Sequence, residues 1–135
     1  MILTSVQIKA ADGLYMNENG ISERELVLKA AVAAYSAYEK HEGSPSGKRV
    51  LVLCGRGLNG ADGYALSLLF KQNGASVFTC ALYNDNISPT TRSFADECNA
   101  AGIADIGALV AVSENELKYD VIIDAVFGIG FRGEL

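Results

Sequence analysis

The stretch that most constrains this chain is Val50-Leu51-Val52-Leu53-Cys54, followed at once by Gly55-Arg56-Gly57-Leu58-Asn59-Gly60-Ala61-Asp62-Gly63. A continuous apolar run bounded by turn residues is what a strand covered on both faces looks like. Glycines directly after such a strand permit a tight turn and let a phosphate approach the backbone closely. A helix is expected to follow through Ala65, Leu66, Leu68, Leu69 and Phe70, and its N-terminus would add unpaired N–H groups and a positive dipole end. Gly55, Gly57 and Gly60 satisfy G-x-G-x-x-G, a weak pattern alone that gains from its strand–loop–helix setting. The plain alternative is a turn that only packs helix on sheet.

The rest of the chain repeats the alternation. Thr4 can cap a short helix to about Ala11, with turn residues at Asp12-Gly13 and Asn17–Gly20. Ser22 and Glu25 match a capping box, opening a helix with Leu26, Ala30, Ala33, Ala34, Ala37 and Tyr38 as its expected packing stripe against a sheet. Val77–Leu82 reads as a second strand, and Ser88-Pro89 as the start of a helix ending near Gly102. Ile103–Val112 could hold a short strand and part of a helix, and Ser113–Glu116 resembles another cap. Val121–Phe127 is a third apolar run, ending in Gly128-Ile129-Gly130. Short strands alternating with helices imply an α/β domain with a parallel sheet and right-handed crossovers. One domain spanning 1–135 is expected.

Bulk properties exclude several functions. Among 135 residues the net charge is −5, whereas a general nucleic-acid binder needs a basic stripe to displace counterions. A phosphorylated small molecule stays possible because backbone N–H groups hold phosphate without basic side chains. No apolar run approaches the ~20 residues needed to span a bilayer, and the N-terminus lacks a secretory core. Three spaced cysteines without a CxxC read as buried thiols in a reducing cytoplasm. His41, the single histidine, reads as a solvated residue near a helix end.

Asn59 and Asp62 are polar and close together in a tightly folded segment. Asp62 could cap the helix, or the two could bind a cation or a sugar hydroxyl. Asp124 is an acid in an otherwise apolar run, which is costly to bury without a partner. It is therefore either a hydrogen-bonded or metal-bound carboxylate, or a group facing water at a strand end. Arg132 could fork a phosphate or lie exposed. Ligands of parallel sheets gather beyond the strands' carboxyl ends, where the loops after Cys54 and Val126 would both open. The tyrosines form no readable stacking platform.

At these loops a family resemblance emerges. VLVLCGRGLNGADG resembles the G-x-G-N-N-G-G-D-G signature of the YjeF N-terminal family, the NAD(P)H-hydrate epimerases, and YDVIIDAVFGIGFRGEL resembles its D-A-x-F-G-x-G-x-x-G signature. The resemblance covers the whole chain. It implies a Rossmann-like three-layer αβα fold with a mostly parallel sheet, and an isomerase that interconverts R and S forms of hydrated NADH and NADPH in cofactor repair. Carried over by position, it implies ligand contacts at Leu58, Asn59, Gly60, Ala61 and Asp62, and at Gly128, Ile129, Gly130, Phe131, Arg132, Gly133 and Glu134. It also implies a potassium ion (K+) associated with Asn59 and Asp124.

Two departures stand in the first loop: Leu58 replaces an asparagine, and Ala61 replaces a glycine, which matters only where positive φ is needed. The family continues into a D-x-P-S-G-like loop that supplies a proton-transferring aspartate, and this chain stops before it. A fragment or truncated relative is therefore expected, without a convincing proton shuttle of its own. The alternatives are a non-catalytic nucleotide- or partner-binding module, and an NAD(P) oxidoreductase domain with Asp85 on a ribose hydroxyl. An edge strand left unpaired favours association, so a homodimer is the expected assembly.

Overall fold

The computed structural model describes residues 20–83, 85–107 and 118–127. The helix expected from Thr4, the turn at Asp12-Gly13, the cap at Ser113 and the whole of Gly128–Glu134 lie outside the described residues. Helix α1 spans Glu23–Glu42. The Ser22 hydroxyl accepts from the Glu25 N–H at 3.1 Å, Glu23 and Glu25 lie in the first turn, and Gly43 ends the helix at φ 80°. This is the N-cap half of the expected capping box, with acids at the positive end of the dipole. His41 is exposed in the last turn.

The stripe that α1 buries differs from the expected one. Val27, Ala31 and Tyr35 are buried, whereas Ala30, Ala33, Ala34 and Ala37 are exposed. The helix rests on its neighbour α2 and makes little direct contact with the sheet. With five alanines beside four larger aliphatics along it, the apolar periodicity of α1 does not single out one face.

Strand β1 (Arg49–Cys54) leads into α2 (Leu58–Gln72), β2 (Ser76–Ala81), α3 (Pro89–Ala100), the two-residue β3 (Ala104–Asp105) and β4 (Val121–Ala125). Ser88 caps α3 through the Thr91 N–H, with Pro89 in the first turn. The sheet runs β3-β2-β1-β4, and every pairing is parallel. β4 ends at Ala125, two residues short of the apolar run, and Ile122 is 63% exposed. Val50, Val52 and Cys54 of β1 and Val77 of β2 form one core with Val27, Tyr64, Phe70 and Phe94 from α1, α2 and α3. The described helices thus supply one layer against the parallel sheet. Cys54, Cys80 and Cys98 are buried free thiols. Burial pushes Cys98 up to about 12, so it is inert at neutral pH. No helix among the described residues is long and apolar enough to cross a membrane.

Candidate functional site

The strand order reverses between β1 and β4. The chain steps outward from β1 to β2 and β3, then returns to place β4 on the other side of β1. Crevices of open parallel sheets form at such a reversal, beyond the strands' carboxyl ends. The two segments that leave β1 and β4 here are the two glycine-containing motifs.

They are held together at backbone contact. The Gly55 N–H donates to the Ala125 carbonyl at 3.0 Å. A Cβ on Gly55 would lie 2.0 Å from the Val126 oxygen, and one on Gly60 would lie 1.9 Å from the Gly55 oxygen. A Cβ on Gly63 would meet the Ala125 methyl at 2.6 Å. These three glycines are required by close approach, and none has positive φ. The helix starts earlier than the run of glycines suggests: Gly57 is the N-cap and Leu58 the first helical residue. The true loop is only Gly55–Gly57, and Asn59, Gly60, Ala61 and Asp62 belong to the first turns of α2. Helix α3 backs this loop, with the Thr91 hydroxyl donating to the Gly57 carbonyl at 2.8 Å and the Ser88 N–H to the Arg56 carbonyl at 3.0 Å.

Asn59, Asp62 and Asp124 line one cleft of about 230 Å³ between α1, α2 and β4. The Asn59 side-chain amide donates to the Phe127 carbonyl at 2.9 Å, spanning 68 positions of sequence. A carbonyl only accepts, so this bond fixes the NH₂ end of Asn59 and leaves its Oδ1 as an acceptor for the cleft. One Asp124 oxygen accepts from the Val126 N–H at 3.0 Å. Its carboxylate is exposed, which combines the two readings of that residue: hydrogen-bonded, and facing water at the strand end.

Asp62 lies beyond the capping positions, and no side chain caps α2, so the capping alternative for it fails. It is half-buried, and burial pushes its carboxyl up to about 6. Leu58 is 42% exposed at the helix start. Ala61 is fully buried in the core, so its side chain has no surface to offer the ligand expected there. It also needs no positive φ, which removes the concern about its replacing glycine. Gly128–Glu134 lie outside the described residues.

The apolar part of the cleft comes from Ala30 and Ala34 of α1, Leu66 of α2 and Ile123 of β4. Two alanines of the expected packing stripe, Ala30 and Ala34, thus form a wall of the cleft rather than a contact with the sheet. A run of small exposed residues on a long helix was the available signal. Among the described residues no three His, Cys, Asp or Glu side chains converge as a metal cluster. Asp85 is exposed beyond β2 and does not line this cleft.

The family model described as YjeF-related protein N-terminus matches residues 23–135. The chain belongs to this family. Its sequence is 30% identical over 130 residues to an NAD(P)H-hydrate epimerase of Limosilactobacillus fermentum, covering 95% of this chain and 59% of that protein. It is 37% identical over 119 residues to the bifunctional NAD(P)H-hydrate repair enzyme Nnr of Escherichia coli, covering 84% of this chain and 21% of the enzyme. The crystal structure of yeast ynu0 (YNL200c) superposes with a TM-score of 0.80 at 20% identity, over all of this chain and 60% of that one. This YjeF N-terminal chain therefore spans a little over half of its single-function relative and about a fifth of the bifunctional one.

Proposed function

We propose that this YjeF N-terminal chain binds hydrated NADH or NADPH in the cleft between α1, α2 and β4 and serves the interconversion of its R and S forms. The observation that carries this reading is the convergence of Asn59 and Asp124, from two motifs far apart in sequence, on one cleft at the strand-order reversal. The names of the relatives supply the substrate class. The α2 N-terminus, whose first N–H groups have no side-chain cap, suits the pyrophosphate end of such a ligand.

Asn59 and Asp124 would hold a potassium ion. Their oxygens are hard donors suited to a hard cation, and an ion there would supply positive charge beside the bound ring.

Calorimetric titration with hydrated NADH in potassium buffer, paired with chromatographic measurement of R-to-S conversion, tests the reading. Saturable binding that Asn59→Ala and Asp124→Ala each weaken at least tenfold is expected. Absence of binding by the folded chain refutes it. Leu58, exposed where the family pattern has an asparagine, favours a second reading of a binding module without turnover; binding without conversion would select it.

A further inference from the structure

Of the three polar side chains facing the cleft, two are already committed. The NH₂ of Asn59 holds the Phe127 carbonyl, and an oxygen of Asp124 holds the Val126 N–H. Asp62 is different. It sits one helical turn beyond Asn59 on the same face of α2, beside Leu66 and opposite Ile123. No hydrogen bond or ion pair engages it among the described residues. A half-buried carboxyl without a partner is unfavourable, and a donor on a ligand would supply what the protein does not.

The size of the cleft limits which part of a ligand that can be. Sites that enclose a whole small molecule run from about 300 Å³ upward, so roughly 230 Å³ takes one end of a dinucleotide. Flat walls of Ala30, Ala34 and Ile123 with a polar rim suit a ring bearing more than one polar substituent. Hydration of a dihydronicotinamide ring adds water across a carbon–carbon double bond, so a ring carbon that carried only hydrogen gains a hydroxyl. The carboxamide is common to both forms. The hydroxyl is the one polar group that separates the damaged cofactor from the intact one.

We infer that Asp62 is a specificity-determining residue, whose carboxyl hydrogen-bonds the hydroxyl of the hydrated ring and so discriminates it from NADH. The inference rests on the substrate reading above. Sites built to bond a hydroxyl can reject the analogue lacking it very strongly, because a buried polar group is then left unpaired. Asp62 is only half-buried, and water can partly replace the missing hydroxyl, so the expected preference is smaller, about ten- to a hundredfold.

The test is calorimetric titration of the full chain with hydrated NADH and, separately, with NADH, both in potassium buffer. Wild type is expected to bind the hydrate at least tenfold more tightly. Asp62→Ala should bring the two dissociation constants within twofold, mostly by weakening the hydrate. Asp62→Asn, which keeps a hydrogen-bonding end of the same shape, should restore most of the preference. Asp62 has no partner among the described residues, so its replacement orphans none of their groups, and a cooperative melt confirms folding of each variant. A preference that survives in Asp62→Ala overturns the inference. So does equal weakening of both ligands, which would put Asp62 against a group they share, such as the carboxamide or the adenine amine. Equal affinity of wild type for the two ligands overturns the inference alone; binding of neither overturns the substrate reading and the inference with it.

Discussion

The glycines of the first motif differ sharply in what each permits. A Cβ at Gly60 would overlap the Gly55 carbonyl, a backbone atom that cannot swing aside, whereas a Cβ at Gly57 meets nothing within 4 Å. Gly60→Ala is therefore expected to destabilise the protein by about 2–4 kcal/mol, and Gly57→Ala by about 1 kcal/mol or less. Urea unfolding midpoints of the two variants check this; equal effects would contradict the close-approach account.

Asp62 carries a second consequence. Its folded-state pKa, about 6, lies above the ordinary 3.8. The unfolded chain then gives up this proton first, so stability falls as pH rises from about 4 to about 6 and stays reduced above that. Two pKa units correspond to at most about 3 kcal/mol, and contact with solvent lowers the realised effect to about 1–2 kcal/mol. Asp62→Asn should therefore stabilise the protein at pH 7.5 by that amount and make little difference near pH 4. Denaturation at the two pH values measures it, and a destabilised Asp62→Asn at pH 7.5 would show that the carboxylate has a partner in the fold.

At the scale of elements, the strands and helix caps were legible because each rests on local chemistry. Val50–Cys54 is apolar throughout because β1 is central in the sheet, flanked by β2 and β4. Ser22 and Ser88 announce α1 and α3 by side-chain bonds made within three residues. The start of α2 was misplaced because three glycines at positions 57, 60 and 63 look like loop. Gly60 and Gly63 are tolerated in the helix because they lie where backbone and strand press closest, and Gly57 is its N-cap. The face of α1 was not legible either, since alanine serves equally as core, as cleft wall and as exposed helix former. Loss of the α1 cap in Ser22→Ala should cost about 1 kcal/mol, read as a lower urea midpoint with unchanged slope; an unchanged midpoint would mean that contacts with α3 alone hold this end. Those contacts are the Arg24–Glu97 ion pair, the Thr90 hydroxyl on Glu23, and the Arg24 guanidinium 4.3 Å above the Phe94 ring.

Across the whole molecule, the candidate site is a product of topology. Asn59 and Asp124 are 65 positions apart, and no local pattern brings them together. The return of the chain from β3 to β4 does so, setting β4 beside β1 with Asp124 in register with Leu53. The Asn59 amide then reaches across to the chain leaving β4. What the sequence could not convey was the third side of the cleft, because the packing of α1 on α2 is decided by tertiary contacts. The most direct measurement is a crystal structure of the chain grown with hydrated NADPH and potassium. The dinucleotide is expected with its hydrated ring between Asp62 and the Ala30–Ala34 wall, and with its pyrophosphate near the start of α2. Ligand bound elsewhere on the molecule, with Asn59 and Asp124 untouched, would contradict the central claim.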